Sequence, residues 1–262
     1  MNYDFIWDDV PRRIRKGNFL PIGPVPAGAF INNKYAVGSF ISTDHETLYN
    51  ENLLTQPKDW FYRDNPIEYK LNKYGYRTAE FDTIDWSNSI VVFGCSNVFG
   101  VGLHEEDTLS GQLAKLTNIP VINMGVNASS IEYSLYNSII LNEHYPTPKA
   151  VIQVHSSIDR TTYYDKKNVT HHTPRNIKQG DYMSLYTTDP THARVHAMMC
   201  QMINKQIWAS KTRYYETSFF IDKFNTLNLN QVRFQDYARD LMHPGRTTLQ
   251  NLAIKIKDKL EL

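Results

Sequence analysis

A short run of β-branched and aromatic residues at 90–93 constrains the fold of this chain more than any other feature. The run stops at Gly94, and Ser96 follows two positions later. Short apolar runs that end at a turn signal are typical of strands buried on both faces of a parallel sheet. In open α/β sheets, ligands bind beyond the carboxyl ends of such strands. The sequence therefore predicts that Ser96 stands where the sheet binds its ligand.

Alternating strand and helix patterns continue along the chain. Strands are predicted at 89–93, 120–125, 150–154 and 214–221, and helices at 108–117, 129–145, 191–210 and 247–260. Strand-helix-strand order implies parallel strands joined by right-handed crossovers. We therefore predict an α/β protein, a three-layer α/β/α sandwich with a mostly parallel sheet.

Residues 1–88 differ from the rest of the chain, because proline, glycine and asparagine turn signals interrupt them. Aromatic residues are scattered through this part, and residues 69–77 are typical of a short strand, a turn and a returning strand. We interpret 1–88 as a loop-rich, partly β extension that packs on an α/β domain formed by 89–262.

The composition argues against several classes of partner. The 262 residues include 28 basic and 27 acidic side chains, so the chain lacks the positive charge on which nucleic-acid binding depends. No signal peptide is visible, and no apolar run approaches the roughly 18 residues of a membrane span. The two cysteines, Cys95 and Cys200, favour a reducing compartment. We expect a cytoplasmic protein with no nucleic-acid or membrane partner, and its oligomeric state stays open.

A second motif lies far downstream, where Asp240 and His243 stand three residues apart and Pro244 follows. A loop with this spacing can direct both side chains to one side, so that the carboxylate selects the imidazole tautomer that accepts a serine proton. With Ser96, the pair supplies the groups of a serine hydrolase. The alternative is that Ser96 serves only a turn and His243 only the approach to the last helix.

The order of these motifs resembles the SGNH (or GDSL) hydrolase superfamily. The segment 94–100 (Gly-Cys-Ser-Asn-Val-Phe-Gly) is similar to the Gly-Asp-Ser block of that family, and 122–127 is similar to its second block. The resemblance covers about 69–160 and 213–262, and it implies a flavodoxin-like topology. Cys95 replaces the aspartate of the family, a substitution also seen in virus-encoded members, so association with a virus is one expectation.

The resemblance also implies roles for individual residues. Ser96 is expected to be the nucleophile, His243 the general base and Asp240 the residue that orients the imidazole. The third block of the family carries an asparagine that donates to the oxyanion, and this chain has none there, so a serine hydroxyl is the expected substitute. The expected oxyanion and substrate-binding residues are Ser96, Gly125, Ser156, Ser157, Asn97 and Arg160. For Arg160, a structural ion pair is the alternative to substrate contact.

The expected reaction is hydrolysis of small acyl esters through an acyl-serine intermediate, with no metal or organic cofactor. The resemblance suggests an acetyl group carried by a carbohydrate as the substrate. One alternative is a catalytically weakened domain that serves as a binding module or a virion component, which the missing asparagine and the aromatic N-terminal part favour. A second alternative is an O-acyltransferase that uses the same residues.

The predicted helix at 191–210 carries residues that could be given functional readings. His192 and His196 stand four residues apart, a spacing that can hold a metal ion, but we expect no carboxylate or cysteine nearby to complete a site. We therefore expect a packed or solvated helix face there. Met198, Met199 and Met202 are expected to fill the core rather than to bind a cofactor.

Overall fold

The computed structural model describes residues 37–72, 74–164, 169–172, 190–220 and 226–262. Its longer elements, in chain order, are β1 (Val37–Gly38), α1 (Glu46–Thr55), β2 (Tyr69–Lys70), β3 (Ile90–Gly94), α2 (Ser96–Phe99), α3 (Leu109–Thr117), β4 (Val121–Gly125), α4 (Ile131–His144), β5 (Ala150–His155), β6 (Thr161–Tyr164), β7 (Val169–His172), α5 (Pro190–Trp208), β8 (Arg213–Ser218) and α6 (Arg246–Leu260). Single 3₁₀ turns lie at Phe61–Arg63, Phe81–Thr83, Trp86–Asn88 and Glu105–Asp107.

Four of the described strands form a parallel sheet in the order β4-β3-β5-β8. The strand first in sequence, β3, lies inside the sheet, with Ile90 opposite both Val121 and Ala150. The chain therefore leaves β3 in one direction to form β4 and returns across it to form β5, as in flavodoxin-like sheets. The predicted parallel sheet and its topology are confirmed.

The side chains of β3 alternate between two apolar cores. On one face, Ile90 and Val92 join a cluster with residues of α3 and α6, and on the other, Val91 and Phe93 join a cluster with residues of α4 and α5. Successive side chains of a strand point to opposite faces, so a strand with helices on both sides must be apolar throughout. The three-layer arrangement is confirmed, and the run at 90–93 is its central strand.

Strand β8 ends earlier than the prediction of 214–221. Its last residue, Ser218, pairs with His155 at the end of β5. The Ser218 hydroxyl donates to the carbonyl of His155 at 3.0 Å and accepts the N–H of Phe220 at 3.1 Å. This pair of side-chain hydrogen bonds turns the backbone out of the ladder, because a serine hydroxyl competes with strand pairing for backbone groups. Residues 221–225, which follow the turn, lie outside the described residues.

The segment 69–77 also differs from its prediction. Strand β2 pairs with β1 in antiparallel fashion and not with a returning strand. The Asn72 carboxamide oxygen accepts the N–H groups of Tyr74 and Tyr76, each at 3.0 Å, and so closes a turn in place of the second strand. Helix α1 and the hairpin of β6 and β7, which lie in stretches interpreted as loops, were missed. Residues 1–36 of the predicted extension lie outside the described residues, and its boundary at 88 stays a prediction.

The methionines of α5 are not core residues, so that prediction was wrong. Met198, Met199 and Met202 are 43%, 55% and 67% exposed, beside the exposed Val195 and Ile203. The buried face of the helix consists of Ala197, Cys200, Asn204 and Trp208. Both faces of the helix carry apolar residues at helical spacing, and spacing alone does not tell which of two apolar faces meets the sheet.

His196 joins α5 to α4. Its Nε2 contacts the carboxylate of Glu132 and lies 3.7 Å from the sulfur of Cys200. A carboxylate and a cysteine therefore do approach this histidine, although Glu132 is distant in sequence. Hydrogen bonds with Cys200 and Glu132 raise the pKa of His196 to about 10. Among the described residues, no group of three or more His, Cys, Asp or Glu side chains could hold a metal ion.

The His196 contact predicts a loss of stability at alkaline pH. A histidine whose pKa is higher in the folded than in the unfolded state stabilises the fold fully below its unfolded pKa of about 6.5. The stabilisation decreases as the pH rises from there towards about 10. We expect the free energy of unfolding in urea to fall more between pH 6 and pH 10 in the wild type than in His196→Gln. Equal declines in wild type and His196→Gln would contradict the prediction.

Candidate active site

The structure brings Ser96, His243 and Asp240 together. The Nε2 atom of His243 lies 2.8 Å from Ser96 Oγ, and Nδ1 of the same ring lies 2.6 Å from Asp240 Oδ2. Ser96 begins α2 directly after β3, whereas His243 lies 147 residues further along the chain in the loop before α6. Hydroxyl, imidazole and carboxylate therefore stand in the linear order that proton transfer from serine to histidine requires.

The carboxylate of Asp240 accepts four hydrogen bonds. Its Oδ1 accepts the N–H groups of Met242 and His243 at 3.0 and 3.1 Å. Its Oδ2 accepts the His243 ring at 2.6 Å and the hydroxyl of Thr43, also at 2.6 Å. Leu241 adopts a left-handed backbone conformation, with φ of 54°, and this turn allows both following N–H groups to face one oxygen. The loop at 240–243 therefore directs its own N–H groups and the His243 ring at the carboxylate of Asp240.

These contacts determine the ionisation of Asp240. Burial alone raises the pKa of its carboxyl, but hydrogen bonds from His243, Thr43 and the Met242 N–H outweigh burial and hold the pKa below its ordinary value. An ionised carboxylate can only accept hydrogen bonds, so the Nδ1 atom of His243 must carry a proton. The Nε2 atom is then free to accept the proton of the Ser96 hydroxyl.

A buried ion pair fastens the loop that carries Asp240. The guanidinium of Arg239 donates to both oxygens of Asp44, at 2.8 and 2.7 Å, and both side chains are almost fully buried. The same guanidinium lies over the rings of Phe40 and Tyr49, 4.6 and 5.1 Å from their centroids. The Asn52 side chain donates to the carbonyl of Arg239 at 3.0 Å. The segment before β2 therefore positions the residue next to Asp240.

Gly102 allows this loop to lie against the segment after α2. Its carbonyl accepts the N–H of Arg239 at 2.9 Å, and its N–H donates to the Tyr69 hydroxyl at 2.7 Å. With φ of 76°, Gly102 occupies the left-handed region, and a Cβ there would lie only 2.9 Å from the Arg239 nitrogen and from Ala238 Cβ. A side chain at this position would therefore push the loop of Asp240 away.

Gly125 lies beside the serine turn, but its N–H is already bonded. A Cβ at Gly125 would fall 2.3 Å from the nitrogen of Phe99, so only glycine permits this approach to α2. Its N–H donates to the Asn123 carboxamide oxygen at 2.9 Å, and the Asn123 amide donates to the carbonyl of Val98 at 2.9 Å. The expected role of Gly125 as an oxyanion donor therefore stays a prediction, and in the structure it is a packing glycine.

The residues expected after β5 lie at the same edge of the sheet as Ser96. β3 and β5 are parallel neighbours, with Phe93 opposite Gln153, so Ser156 directly follows β5 at the edge of the sheet where Ser96 follows β3. The Ser156 hydroxyl is buried and has no hydrogen-bond partner in the described part of the chain. Ser157 is half-buried and accepts the N–H of Arg160 through its carbonyl at 3.2 Å.

The remaining expected residues have different surroundings. Asn97 is buried in α2. The guanidinium of Arg160 lies over the ring of Phe220, 4.8 Å from its centroid, and it makes no ion pair with a described carboxylate. The structural ion pair considered for Arg160 is therefore not found among the described residues.

Sequence reasoning missed several residues that hold the site, and most of them carry no local signal. They are Thr43, Asp44, Asn52, Tyr69, Asn123 and Arg239. Arg239 adjoins the Asp240 and His243 motif, and a charged residue beside that motif could have been marked as an anchor. Its partner Asp44 could not, because 195 residues separate the two.

Comparisons with known proteins concern the fold. No protein-family model matches the sequence, and no curated protein does. A lipolytic protein of the G-D-S-L family from Veillonella parvula DSM 2008 shares 14% identity at a TM-score of 0.34, over 65% of this chain and 96% of its own. A second similar structure is AlinE4, an SGNH-hydrolase family esterase. It shares 14% identity at a TM-score of 0.32, over 68% of this chain and 75% of its own.

A third solved structure is a carbohydrate esterase family 2 enzyme with a carbohydrate binding domain from Corynascus thermopiles (Myceliophthora fergusii). It shares 12% identity at a TM-score of 0.42, over 67% of each chain. These similarities concern the fold. No helix of the described residues combines the length and apolar character needed to cross a membrane.

The hydrogen bond from Thr43 predicts a measurable effect on turnover. Thr43→Val keeps the shape of the side chain but removes one of the four donors to Asp240. We expect the turnover of an acyl ester to fall about 10- to 100-fold, because a hydrogen bond to a charged group contributes roughly 1.5–3 kcal/mol. Thr43→Ser retains the hydroxyl and should stay near the wild-type rate. Wild-type kcat in Thr43→Val would show that this contact does not support the histidine.

Removing one partner of the buried ion pair is expected to lower the stability of the protein. Arg239→Met leaves Asp44 buried without its partner, and breaking a buried pair in this way costs about 3–5 kcal/mol. We expect the free energy of unfolding in urea to fall by that amount. The double variant with Asp44→Asn should recover part of the loss, since no charge is then left unpaired. A single variant less than about 1 kcal/mol below the wild type would be inconsistent with this role.

Proposed function

We propose that the protein is an SGNH-type serine hydrolase that cleaves small acyl esters through an acyl-serine intermediate. One observation carries the proposal: the His243 ring lies 2.8 Å from the Ser96 hydroxyl on one side and 2.6 Å from the Asp240 carboxylate on the other. Hydrogen-bond distances between nucleophile, base and orienting acid are the geometric signature of this reaction class. The low pKa of Asp240 supports the same assignment, because it favours the tautomer in which Nε2 accepts.

In the first half of the proposed reaction, Ser96 Oγ attacks the acyl carbonyl carbon while His243 Nε2 takes the serine proton. The negative charge of Asp240 stabilises the imidazolium that forms. The tetrahedral intermediate then expels the alcohol, which receives its proton from His243. In the second half, a water molecule gives its proton to His243 and attacks the acyl-serine, and Ser96 recovers its proton as the acid departs.

The oxyanion needs donors at the end of β3. The N–H of Ser96 opens the first turn of α2, where no intrahelical acceptor exists for it. The Ser156 hydroxyl is buried at the neighbouring strand end without a partner in the described part of the chain, and an unsatisfied buried hydroxyl is costly unless a ligand completes it. We therefore assign Ser156 as the side-chain donor in place of the missing asparagine.

Acetyl esters are the proposed substrates, and O-acetyl groups of carbohydrates are the first candidates. This part of the proposal rests on the resemblance of the sequence motifs to the superfamily. The buried Cys95 beside Ser96 has no role in the proposed chemistry, because burial as a small apolar residue accounts for it.

A second candidate function is a binding module with a weakened site, and two observations favour it. The N–H of Gly125 is bonded to Asn123 and not open to a ligand, and the third block lacks its asparagine. Losing one preorganised oxyanion donor lowers turnover by about 10²–10³. The two candidates differ in whether Ser96 reacts covalently.

Covalent labelling separates the two functions. We expect a fluorophosphonate probe to label the wild type and not Ser96→Ala, and hydrolysis of 4-nitrophenyl acetate to fall about 10³-fold or more in that variant. Ser87→Ala, at an exposed serine of the same chain, should retain both labelling and turnover. A wild-type protein that neither reacts with the probe nor hydrolyses the ester would refute the hydrolase and favour the binding module.

A further inference from the structure

Arg160 carries a charge whose partner is missing from the described part of the chain. The residue is half-buried, and its Nη1 atom is buried without a hydrogen-bond acceptor. Two other arginines near the site have acceptors for their terminal N–H groups: Arg77 donates from Nη1 and Nη2 to the carbonyls of Gly100 and Leu103, and Arg239 pairs with Asp44. A buried N–H of a charged group is costly when it lacks an acceptor, so a ligand that brings one is favoured.

The guanidinium of Arg160 is held in place from two sides. Its backbone closes a turn on the carbonyl of Ser157, and its side chain lies over the ring of Phe220. The N–H of Phe220 is in turn bonded to the Ser218 hydroxyl at the end of β8. A guanidinium held by its face against a ring keeps its edge for hydrogen bonds, and this edge matches the two oxygens of a carboxylate.

Arg160 lies at the same edge of the sheet as Ser96 but over different strands. Ser96 follows β3, Arg160 follows β5, and Phe220 follows β8 on the far side of β5. Neighbouring strands are about 4.8 Å apart, so two strand spacings separate the ends of β3 and β8 by about 10 Å. The strand order and the contact with Phe220 thus place the guanidinium on the side of β5 that faces away from β3 and Ser96.

We propose that Arg160 and Phe220 form a carboxylate-binding subsite of the hydrolase, and that its substrates are acyl esters with a carboxylate on the order of 10 Å from the ester carbonyl. The proposal rests on the proposed function of Ser96. The carboxylate pairs with the edge of the guanidinium, and the aromatic ring offers an apolar wall to the group between carboxylate and ester.

A matched pair of substrates tests the subsite. The acetate ester of 4-hydroxycinnamic acid carries a carboxylate, and the acetate ester of 4-hydroxycinnamamide has the same shape without the charge. We expect the wild type to prefer the carboxylate, with Arg160→Gln losing about tenfold in kcat/KM on it, mainly through KM, and keeping its rate on the amide. Arg160→Lys should recover part of the loss. Arg213→Gln changes an exposed arginine at the opposite end of β8 and should match the wild type on both.

Two results overturn the subsite: equal wild-type kcat/KM on the two esters, or an equal loss on both in Arg160→Gln. Absence of hydrolysis of both esters by the wild type overturns the proposed function instead. In that case, equilibrium binding of 4-hydroxycinnamate decides the subsite by itself. Weaker binding by Arg160→Gln than by the wild type and Arg213→Gln supports it, and identical binding by all three overturns it.

Discussion

The site depends on the buried pair of Arg239 and Asp44. Replacing such pairs by apolar residues often leaves stability unchanged or improves it, so the pair is better understood as a device for position than as a source of stability. The carboxylate of Asp44 also meets the Tyr69 hydroxyl, which accepts the N–H of Gly102. One charge thereby joins the segment before β2, the segment after α2 and the loop of Asp240 at fixed distances.

This fixed frame determines the direction in which a proton can move. Four donors keep Asp240 ionised at a buried position, and the charge holds a proton on the near side of the His243 ring. Only the far nitrogen is left to accept, and Ser96 is the group beside it. The proposed chemistry thus depends on the hydrogen bonds that satisfy one carboxylate, while α2 supplies the hydroxyl.

The parts of the molecule that were predictable are those with a local pattern. The apolar run at 90–93 indicated the central strand, and the three-residue spacing of Asp240 and His243 indicated a shared loop. Thr43 and Asp44 carried no such pattern, because a threonine and an aspartate in a loop have many uses and their partners lie more than 190 residues away. The prediction that the methionines of α5 are buried failed for another reason. Periodicity identifies an apolar helix face but not the surface that this face meets.

The sequence distance between Ser96 and His243, 147 residues, has a consequence for biosynthesis. Contacts between distant parts of a chain form late, because loop closure must precede them. While the ribosome is still extending the polypeptide beyond β5, the nascent chain carries the alcohol but not the imidazole. Under the proposed function, such an intermediate lacks its general base, and ester cleavage requires the loop before α6 to reach Ser96.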